Sequence, residues 1–401
     1  MTKRAFPPLY FLANLGAHLA FLPLLVLLLP RRVEAIATGE PIILLSQLLL
    51  VGGLVASASN IAAGWFSDQW INRHGNRRGP IGIGLGFLLL SYVYFATAVT
   101  PWALLVGILA FQTSLNLMFA PIGALLTDHI SHERKGTMAG WLNMALPLAG
   151  LGITLIGRYS DMDAAWPFLA LAGAIALLVV PLVLLWPQGL KLIDQPVATL
   201  EKTASLKGDF LLAWIARLTI QTGAAIMLSY LYLYVSGLAG SAAGYPDQSV
   251  SEGVGALSLI ATIMSLGAGV LAGRWSDKAG QRKRPLIVTA LGVAVAMGLL
   301  AWGGHWWVVL FAYALFTASL TAFLSVDSAL VAQLLAGHRA RGTFLGLMNL
   351  TNTLPAIIAP AAALLLSTSG LEVGLLRTLL AMGVGAGIVA AIAVSRIRAI
   401  R

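Results

Sequence analysis

The chain is dominated by long apolar runs that are separated by short polar stretches. A helix crosses the hydrocarbon core of a membrane when about 20 consecutive residues are predominantly apolar, and twelve runs meet this requirement. The pattern therefore predicts an all-α membrane protein with twelve transmembrane helices. Numbered along the chain as segments 1 to 12, the runs cover 8–30, 41–66, 80–98, 102–127, 137–158, 166–186, 209–235, 253–273, 286–303, 307–331, 343–366 and 375–395.

Two motifs occur once in each half of the chain. The stretch 64–80 reads GWFSDQWINRHGNRRGP and 273–285 reads GRWSDKAGQRKRP, so both contain GxxSD, a basic cluster and a proline. A second motif, GTxxGxxN, follows at 136–143 and at 342–349. The two motifs repeat at offsets of 209 and 206 residues, which is far too long for a solenoid unit. The sequence thus predicts a duplicated membrane domain.

The longest polar stretch, 187–208, divides the twelve segments into two groups of six. We expect one six-helix bundle over 1–186, a cytoplasmic linker over 187–208 and a second six-helix bundle over 209–401. Of the 25 lysines and arginines, 20 lie at the same ends of the segments as the two termini. Because cytoplasmic loops carry the excess of basic residues, this bias predicts that both termini are cytoplasmic.

The composition agrees with a membrane protein and excludes several other classes. Hydrophobic residues make up 59%, charged residues 10%, and the mean hydropathy is +0.87, whereas soluble domains average about 25% charged residues. The net charge of +10 lies in short loops, so it reports orientation and predicts no nucleic-acid partner. The chain has no cysteine, phosphate loop, metal-spaced His and carboxylate cluster or nucleophile elbow. We therefore expect neither an enzyme nor a resident cofactor or metal.

The duplicated motifs resemble those of the major facilitator superfamily, and the resemblance covers essentially the whole chain. Within that superfamily, SDQWINRHGNRRGP and SDKAGQRKRP are similar to the glycoside, pentoside and hexuronide symporters and the related sucrose transporters, and RGTFLGLMNLTNTLPAIIAP at 341–360 supports the same subgroup. The resemblance implies two pseudo-symmetric six-helix bundles and alternating access by rocking of the halves. It also places segments 1, 4, 7 and 10 around a central cavity.

Polar side chains on those four segments are the substrate ligands that the resemblance implies. Segment 1 carries polar residues at intervals of four, and segments 4 and 7 carry them one or two turns apart, hence roughly on one face. The indole on segment 7 offers a stacking face. The predicted substrate-binding residues are Tyr10, Asn14, His18, Gln112, Asn116, Trp214, Gln221 and Thr317.

Besides tyrosines, three ionisable residues fall well inside the predicted hydrocarbon region, namely His18, Arg217 and Asp327. A charge at a helix centre costs on the order of 3 kcal/mol on insertion scales, so such positions are functional hypotheses. An Arg217–Asp327 ion pair would remove most of that cost, and protonation of Asp327 would release Arg217. This predicts proton coupling through the pair. Alternatively, Arg217 snorkels to the interface, Asp327 hydrogen-bonds within its own half, and His18 is a packed neutral imidazole.

Sodium coupling is disfavoured by segment 2. Melibiose-type members of the resembled subgroup carry acids within this segment to hold sodium, and here no carboxylate precedes Asp68. Sodium prefers oxygen ligands that carry charge. We therefore expect protons to be the coupling ion.

The acids of the two GxxSD motifs end segments 2 and 8, where an acid attracts the positive N-terminus of a helix. The resemblance implies that each acid docks on segment 11 or 5 of the opposite half and favours the outward-facing state by about 0.3 to 2 kcal/mol. The alternative is that these acids only solubilise a loop. The predicted conformational latch, including nearby arginines that could bridge the acids, comprises Asp68, Arg77, Arg134, Asp277, Arg282 and Arg341.

These features together predict a monomeric secondary transporter of the inner or plasma membrane, most simply a proton symporter for a sugar or glycoside. Its partners would be a small-molecule substrate, protons and the lipid bilayer. One alternative is export of amphipathic drugs or lipids by proton antiport, since segment 1 is apolar from Leu19 to Pro30. A second alternative is a non-transporting membrane sensor or assembly factor with the same fold.

Overall fold

The structure is a computed structural model that describes residues 6–159, 165–186, 207–239, 241–279, 282–334, 341–368 and 374–398. Contacts divide the chain into two compact units, 1–195 and 196–401. The described helices of the first unit are α1 (Phe6–Pro23), α2 (Leu29–Ile36), α3 (Pro41–His74), α4 (Arg78–Thr97), α5 (Pro101–His129), α6 (His132–Asn143), α7 (Ala145–Arg158) and α8 (Trp166–Leu184). Those of the second unit are α9 (Lys207–Leu238), α10 (Val250–Ala279), α11 (Lys283–Trp302), α12 (Trp306–Leu334), α13 (Arg341–Thr353), α14 (Pro355–Ser367) and α15 (Leu375–Arg396).

The described helices confirm an all-α protein that spans a membrane. Among the described residues, eleven helices are long and apolar enough to cross, and the number is twelve if a bent pair counts as one span. That pair is Leu347–Thr353 with Pro355–Ser367, bent by 46°, where Pro355 lacks the N–H that would continue the helical ladder. One span, Phe6–Ile36, contains a π-helical turn at Leu24–Leu28 that joins α1 to α2.

Helices α3 and α10 are longer than the apolar pattern indicates, and α10 continues to Ala279 whereas segment 8 is predicted to end at 273. Segment 2 is predicted to end at 66, but α3 continues to His74. The next residue, Gly75, caps the helix with a left-handed φ of 69°. Asp68 therefore lies within a helix and not at its end. The reason is physical, because apolar residues mark where the chain is in lipid, whereas a helix can continue into water with polar residues.

Each unit uses the same packing scheme. In the first unit, α3 and α4 pack on α5, and α8 packs on both α1 and α4. In the second unit, α10 and α11 pack on α12, and α15 packs on both α9 and α11. This shared packing scheme agrees with the duplication of the motifs.

Candidate functional site

The second unit contains the ion pair predicted from the sequence. Arg217 of α9 and Asp327 of α12 lie with 2.9 Å between Nη1 and Oδ2. The side chain of Asp327 is 1% exposed and that of Arg217 is 17% exposed. A carboxylate this deeply buried is stable as an anion only with a partner, so the state of each side chain depends on the other.

Two asparagines of α13 extend this cluster. Asn352 Oδ1 accepts hydrogen bonds from Gln221 Nε2 at 2.9 Å and from Arg217 Nη2 at 3.4 Å. Asn352 Nδ2 donates to Asn349 Oδ1 at 3.0 Å. On the same stripe of α9, Trp214 Nε1 donates to the carbonyl oxygen of Leu347 at 2.8 Å. The cluster therefore joins α9 to both α12 and α13.

Asn352 is the member of this cluster that sequence reasoning missed as a site residue. Polar residues of segment 11 fit the general expectation of hydrogen bonds between helices, and nothing in their spacing distinguishes one asparagine from another. Asn349 and Asn352 are both exposed, whereas Arg217 Nε is buried and makes no hydrogen bond to the described residues. The cluster thus combines a buried ion pair with amide groups that remain accessible.

The polar stripe of α1 divides into two environments. Tyr10 is 1% exposed and stacks on Phe6 with 5.7 Å between ring centroids, and Asn14 is buried and donates to the carbonyl oxygen of Leu142 at 3.2 Å. His18 is half-buried and its Nδ1 lies 2.8 Å from the carbonyl oxygen of Asn14. Eight residues turn a helix face by about 80°, so Tyr10 and His18 have different surroundings.

His18 lies in an aromatic cluster of the first unit. Its ring centroid is 5.6 Å from that of Phe21 and 5.3 Å from that of Phe119. The contact with the carbonyl oxygen of Asn14 requires the proton on Nδ1, so Nε2 is the nitrogen that remains for a ligand. His18 therefore has a hydrogen-bond partner at Nδ1 within its own helix.

Two other predicted substrate ligands, Asn116 and Thr317, make hydrogen bonds within their own bundles. Gln112 and Asn116 are buried, and Asn116 Oδ1 accepts a hydrogen bond from Asn60 Nδ2 at 3.0 Å, which joins α3 to α5. Thr317 is buried and donates to the carbonyl oxygen of Tyr313 in its own helix at 2.9 Å. Polar groups inside a membrane require internal partners, and these contacts give Asn116 and Thr317 partners within their own bundles.

The first GxxSD motif forms a charge cluster around Arg77, whose side chain is 8% exposed. Arg77 Nη1 lies 2.8 Å from Asp68 Oδ1 and 2.7 Å from Ser67 Oγ, and Nε lies 2.6 Å from Asp128 Oδ2. Burial lowers the pKa of Arg77, but hydrogen bonds to Asp128 and Asp68 outweigh burial, so its pKa lies above the ordinary value. Asp128 was missed, although its position at the end of segment 4 signalled an acid near the basic loop.

The structure describes some of the predicted latch residues. Arg77 bridges Asp68 within the first unit, and Arg134 is exposed. In the second unit, Arg282 Nη1 donates to Ser276 Oγ at 2.9 Å, as Arg77 does to Ser67. The side chains of Asp277 and Arg341 lie outside the described residues. Docking of the two acids on the opposite half remains a prediction.

Two helical units of apolar spans define a multi-pass membrane protein. The profile of the Major Facilitator Superfamily matches residues 9–360. The chain belongs to this superfamily. No curated protein sequence matches it significantly, and the described residues contain no group of three or more His, Cys, Asp or Glu side chains that could hold a metal ion.

Solved structures share the fold at low sequence identity. A bacterial homologue of the human lysosomal transporter Spinster, in an inward-facing and occupied conformation, superposes with a TM-score of 0.68 at 14% identity, over 98% of this chain and 96% of that one. The nucleoside transporter NupG gives 0.70 at 14% identity, over 97% and 99%. A POT family transporter in complex with 5-aminolevulinic acid gives 0.73 at 12% identity, over 96% and 94%. These matches establish the superfamily fold, and the narrower likeness to glycoside symporters stays a prediction.

Proposed function

We propose that the chain is a secondary active transporter that works by alternating access and couples the movement of a sugar or glycoside to protons. Membership of the superfamily supports transport of a small molecule across the membrane. The buried ion pair between Arg217 and Asp327 is the observation that carries proton coupling. An acid and a base buried together inside a membrane span are costly, and in transporters such groups act in ion and proton pathways.

The coupling follows from the charge balance of the pair. While Asp327 is ionised, it holds Arg217 on α12 and neutralises it. When Asp327 is protonated, Arg217 keeps its charge and loses its anionic partner. The guanidinium then requires new acceptor oxygens, and Asn352 supplies one of them. Hydroxyl oxygens of a bound sugar supply the rest, so protonation and substrate binding favour each other.

The side chains around the pair suit a polyhydroxylated substrate. Gln221 and Asn352 provide amide donors and acceptors, and Trp214 provides an indole against which the apolar face of a sugar ring can stack. Within the first unit, Asn14 donates to the backbone of Leu142, and Gln112 and His18 Nε2 are the candidate ligand groups. The expected direction is symport into the cytoplasm, driven by the proton gradient.

The remaining assignments extend the same proposal. The basic bias of the loops favours cytoplasmic termini in an inner or plasma membrane. The two bundles would span 1–186 and 209–401 and move as rigid halves of a monomer. The charge cluster at Asp68 and its counterpart at Asp277 would stabilise one of the two orientations.

One observation favours a second candidate function. The cluster of His18, Phe21 and Phe119 in the first unit is aromatic and apolar, which suits an amphipathic molecule as well as it suits a sugar ring. In that case the transporter would export such molecules by proton antiport. The Asp327 carboxylate of the same ion pair would then bind a proton and a cationic substrate in turn.

Substrate-induced proton flux in proteoliposomes tests the proposal. Sugars and glycosides are compared with lipophilic cations, for the wild type, for Asp327→Asn and for Asp247→Asn, an exposed acid in the loop after α9. We expect a sugar to carry protons inward, with loss of the flux in Asp327→Asn and retention in Asp247→Asn. Proton flux that persists in Asp327→Asn would disprove coupling through the pair. Proton flux in response to lipophilic cations alone would support the second candidate function, export of amphipathic molecules, in place of sugar symport.

A further inference from the structure

The first unit contains a cavity of about 420 Å³ that is separate from the site described above. It opens where the end of α3 and the beginning of α4 meet the last turns of α8. This is one of the basic ends of the spans. The lining residues are Trp70, His74, Asn76, Arg78, Gly79, Gly82, Ile83 and Val183.

One end of this cavity is aromatic and cationic. The rings of Trp70 and His74 stack with 4.2 Å between centroids and an angle of 19°. Asn76 fixes the adjacent turn, because its Nδ2 donates to the carbonyl oxygen of His74 at 2.9 Å and its Oδ1 accepts from the backbone N–H of Arg78 at 3.0 Å. The Arg78 guanidinium is exposed and makes no hydrogen bond or ion pair within the described residues. Its neighbour Arg77, in contrast, is held by two carboxylates.

The other end of the cavity is apolar and faces outward. Gly79 lies so close to the indole of Trp70 that a Cβ there would overlap it. At Gly82 a Cβ would lie 3.4 Å from Val183 Cγ1, so the missing side chain leaves a groove between α4 and α8. Ile83 is 39% exposed and Leu184, beside Val183, is 64% exposed. Exposed apolar side chains on a membrane span face lipid, so the groove opens onto the acyl chains.

The second half of the chain shows that the fold does not require this groove. Counted from the shared proline of the motif, Arg78 corresponds to Lys283, Gly79 to Arg284 and Gly82 to Ile287. Lys283 Nζ donates to the carbonyl oxygen of Ile397 at 2.9 Å, so the equivalent cation is committed to the end of α15. Counted from the motif's first glycine, Trp70 corresponds to Ala279. The two halves thus share the motif but not the groove-forming residues.

We propose that this groove binds one anionic phospholipid. Its phosphate would accept hydrogen bonds from Arg78, and its first acyl carbons would lie along Gly82, Ile83 and Val183. Arginine matches the geometry of phosphate oxygens, and tryptophan favours the depth of the headgroups. A lipid is the ligand whose anionic group and apolar chain meet at this depth. A free phosphate would leave the apolar groove unused.

Binding of phosphatidylglycerol and phosphatidylcholine with identical acyl chains, measured by native mass spectrometry on the full chain in detergent, tests the proposal. We expect one phosphatidylglycerol to bind in preference to phosphatidylcholine. Arg78→Gln should weaken this binding by about fivefold, the effect of one basic side chain near an anionic headgroup. Gly82→Ile, which reproduces the residue of the second half, should remove the bound lipid without any change of charge.

Two control variants separate the groove from general effects. Gly86→Ile makes the same substitution one turn later on α4, where a Cβ would meet no atom within 4 Å among the described residues, and Arg73→Gln removes an exposed cation outside the cavity lining. Both should bind phosphatidylglycerol like the wild type, and all variants should unfold at the wild-type temperature. Equal binding of the two lipids, or equal loss in Arg78→Gln and Arg73→Gln, would overturn the proposal. So would displacement of the lipid by millimolar inorganic phosphate, which would indicate a simple anion site.

Discussion

The Arg217 guanidinium on α9 and the Asp327 carboxylate on α12 form an ion pair with 2.9 Å between Nη1 and Oδ2. The pair joins two helices that also pack against other members of the second unit. Because Asp327 is almost fully buried, neither side chain can change its charge without an effect on the other. Protonation of Asp327 therefore changes the contact that holds α9 against α12.

Leaving one charge of this pair without its partner should destabilise the protein more than removing both charges. Asp327→Asn and Arg217→Gln each leave one partner alone, and removing one member of a buried pair costs about 3 to 5 kcal/mol. The partial exposure of Arg217 places the loss for Asp327→Asn at or below the lower end of that range. The double variant removes both charges and should recover much of the stability. Thermal unfolding in detergent measures the cycle, and a double variant that is as unstable as the sum of the single ones would contradict the coupling.

Asn352 should contribute to substrate affinity as well as to packing. Asn352→Ala removes the acceptor that Arg217 Nη2 and Gln221 Nε2 share, and a hydrogen bond between membrane helices contributes about 0.6 to 1.7 kcal/mol. We expect a several-fold increase of KM in a transport assay and a small loss of thermal stability. Thr353→Ala, one residue further along α13, is the matched control. If both variants transport alike, Asn352 is not a member of the site.

The charge cluster of the first unit depends on the shape of the arginine. Arg77 uses Nη1 for Asp68 and Ser67 and Nε for Asp128, whereas a lysine has a single nitrogen. We expect Arg77→Lys to lower the unfolding temperature although the charge is kept, and Arg78→Lys to leave it unchanged. Unchanged stability of Arg77→Lys would show that charge alone matters at this position.

The same cluster predicts little pH dependence from Arg77. The pKa of Arg77 in the folded state lies above its ordinary value because the two carboxylates outweigh burial. A raised pKa gives stability that is present below the unfolded-state pKa and is lost as the pH rises through the folded-state pKa, and both lie far above neutrality for arginine. Between about pH 6 and 9 the difference in stability between the wild type and Arg77→Gln should therefore stay constant. A difference that falls in this range would point to another titrating group.

Close packing of α4 on α5 should depend on one glycine. A Cβ at Gly84 would meet the backbone of Leu117 and Met118, and backbone atoms cannot move aside as a flexible side chain can. Gly84→Ala should therefore lower the free energy of unfolding by about 1 to 3 kcal/mol. Gly86→Ala, on the exposed face of the same helix, should be neutral or slightly stabilising. The two variants are compared by thermal unfolding, and equal effects would contradict the predicted clash.

The sequence by itself determined that this protein lies in a membrane, where its spans fall and that its two halves are duplicates. Runs of about 20 apolar residues have no stable place in water, and two motifs repeated at nearly one offset leave little alternative to a doubled bundle. It also pointed to the ion pair, because Arg217 and Asp327 are costly in lipid unless they meet. These conclusions depend on the nature of residues and on their order along one helix.

Only the tertiary structure decided which polar groups meet across helices. Tyr10 and His18 share a predicted stripe, but Tyr10 is buried and stacks on Phe6 whereas His18 packs against Phe119 of α5. Asn352 joins the Arg217 cluster, and Asp128 joins Arg77, through contacts between segments more than 50 residues apart. Such pairs depend on how whole helices pack. Apolar residues place each helix in the membrane, but they surround it so evenly that they do not determine its rotation about its own axis.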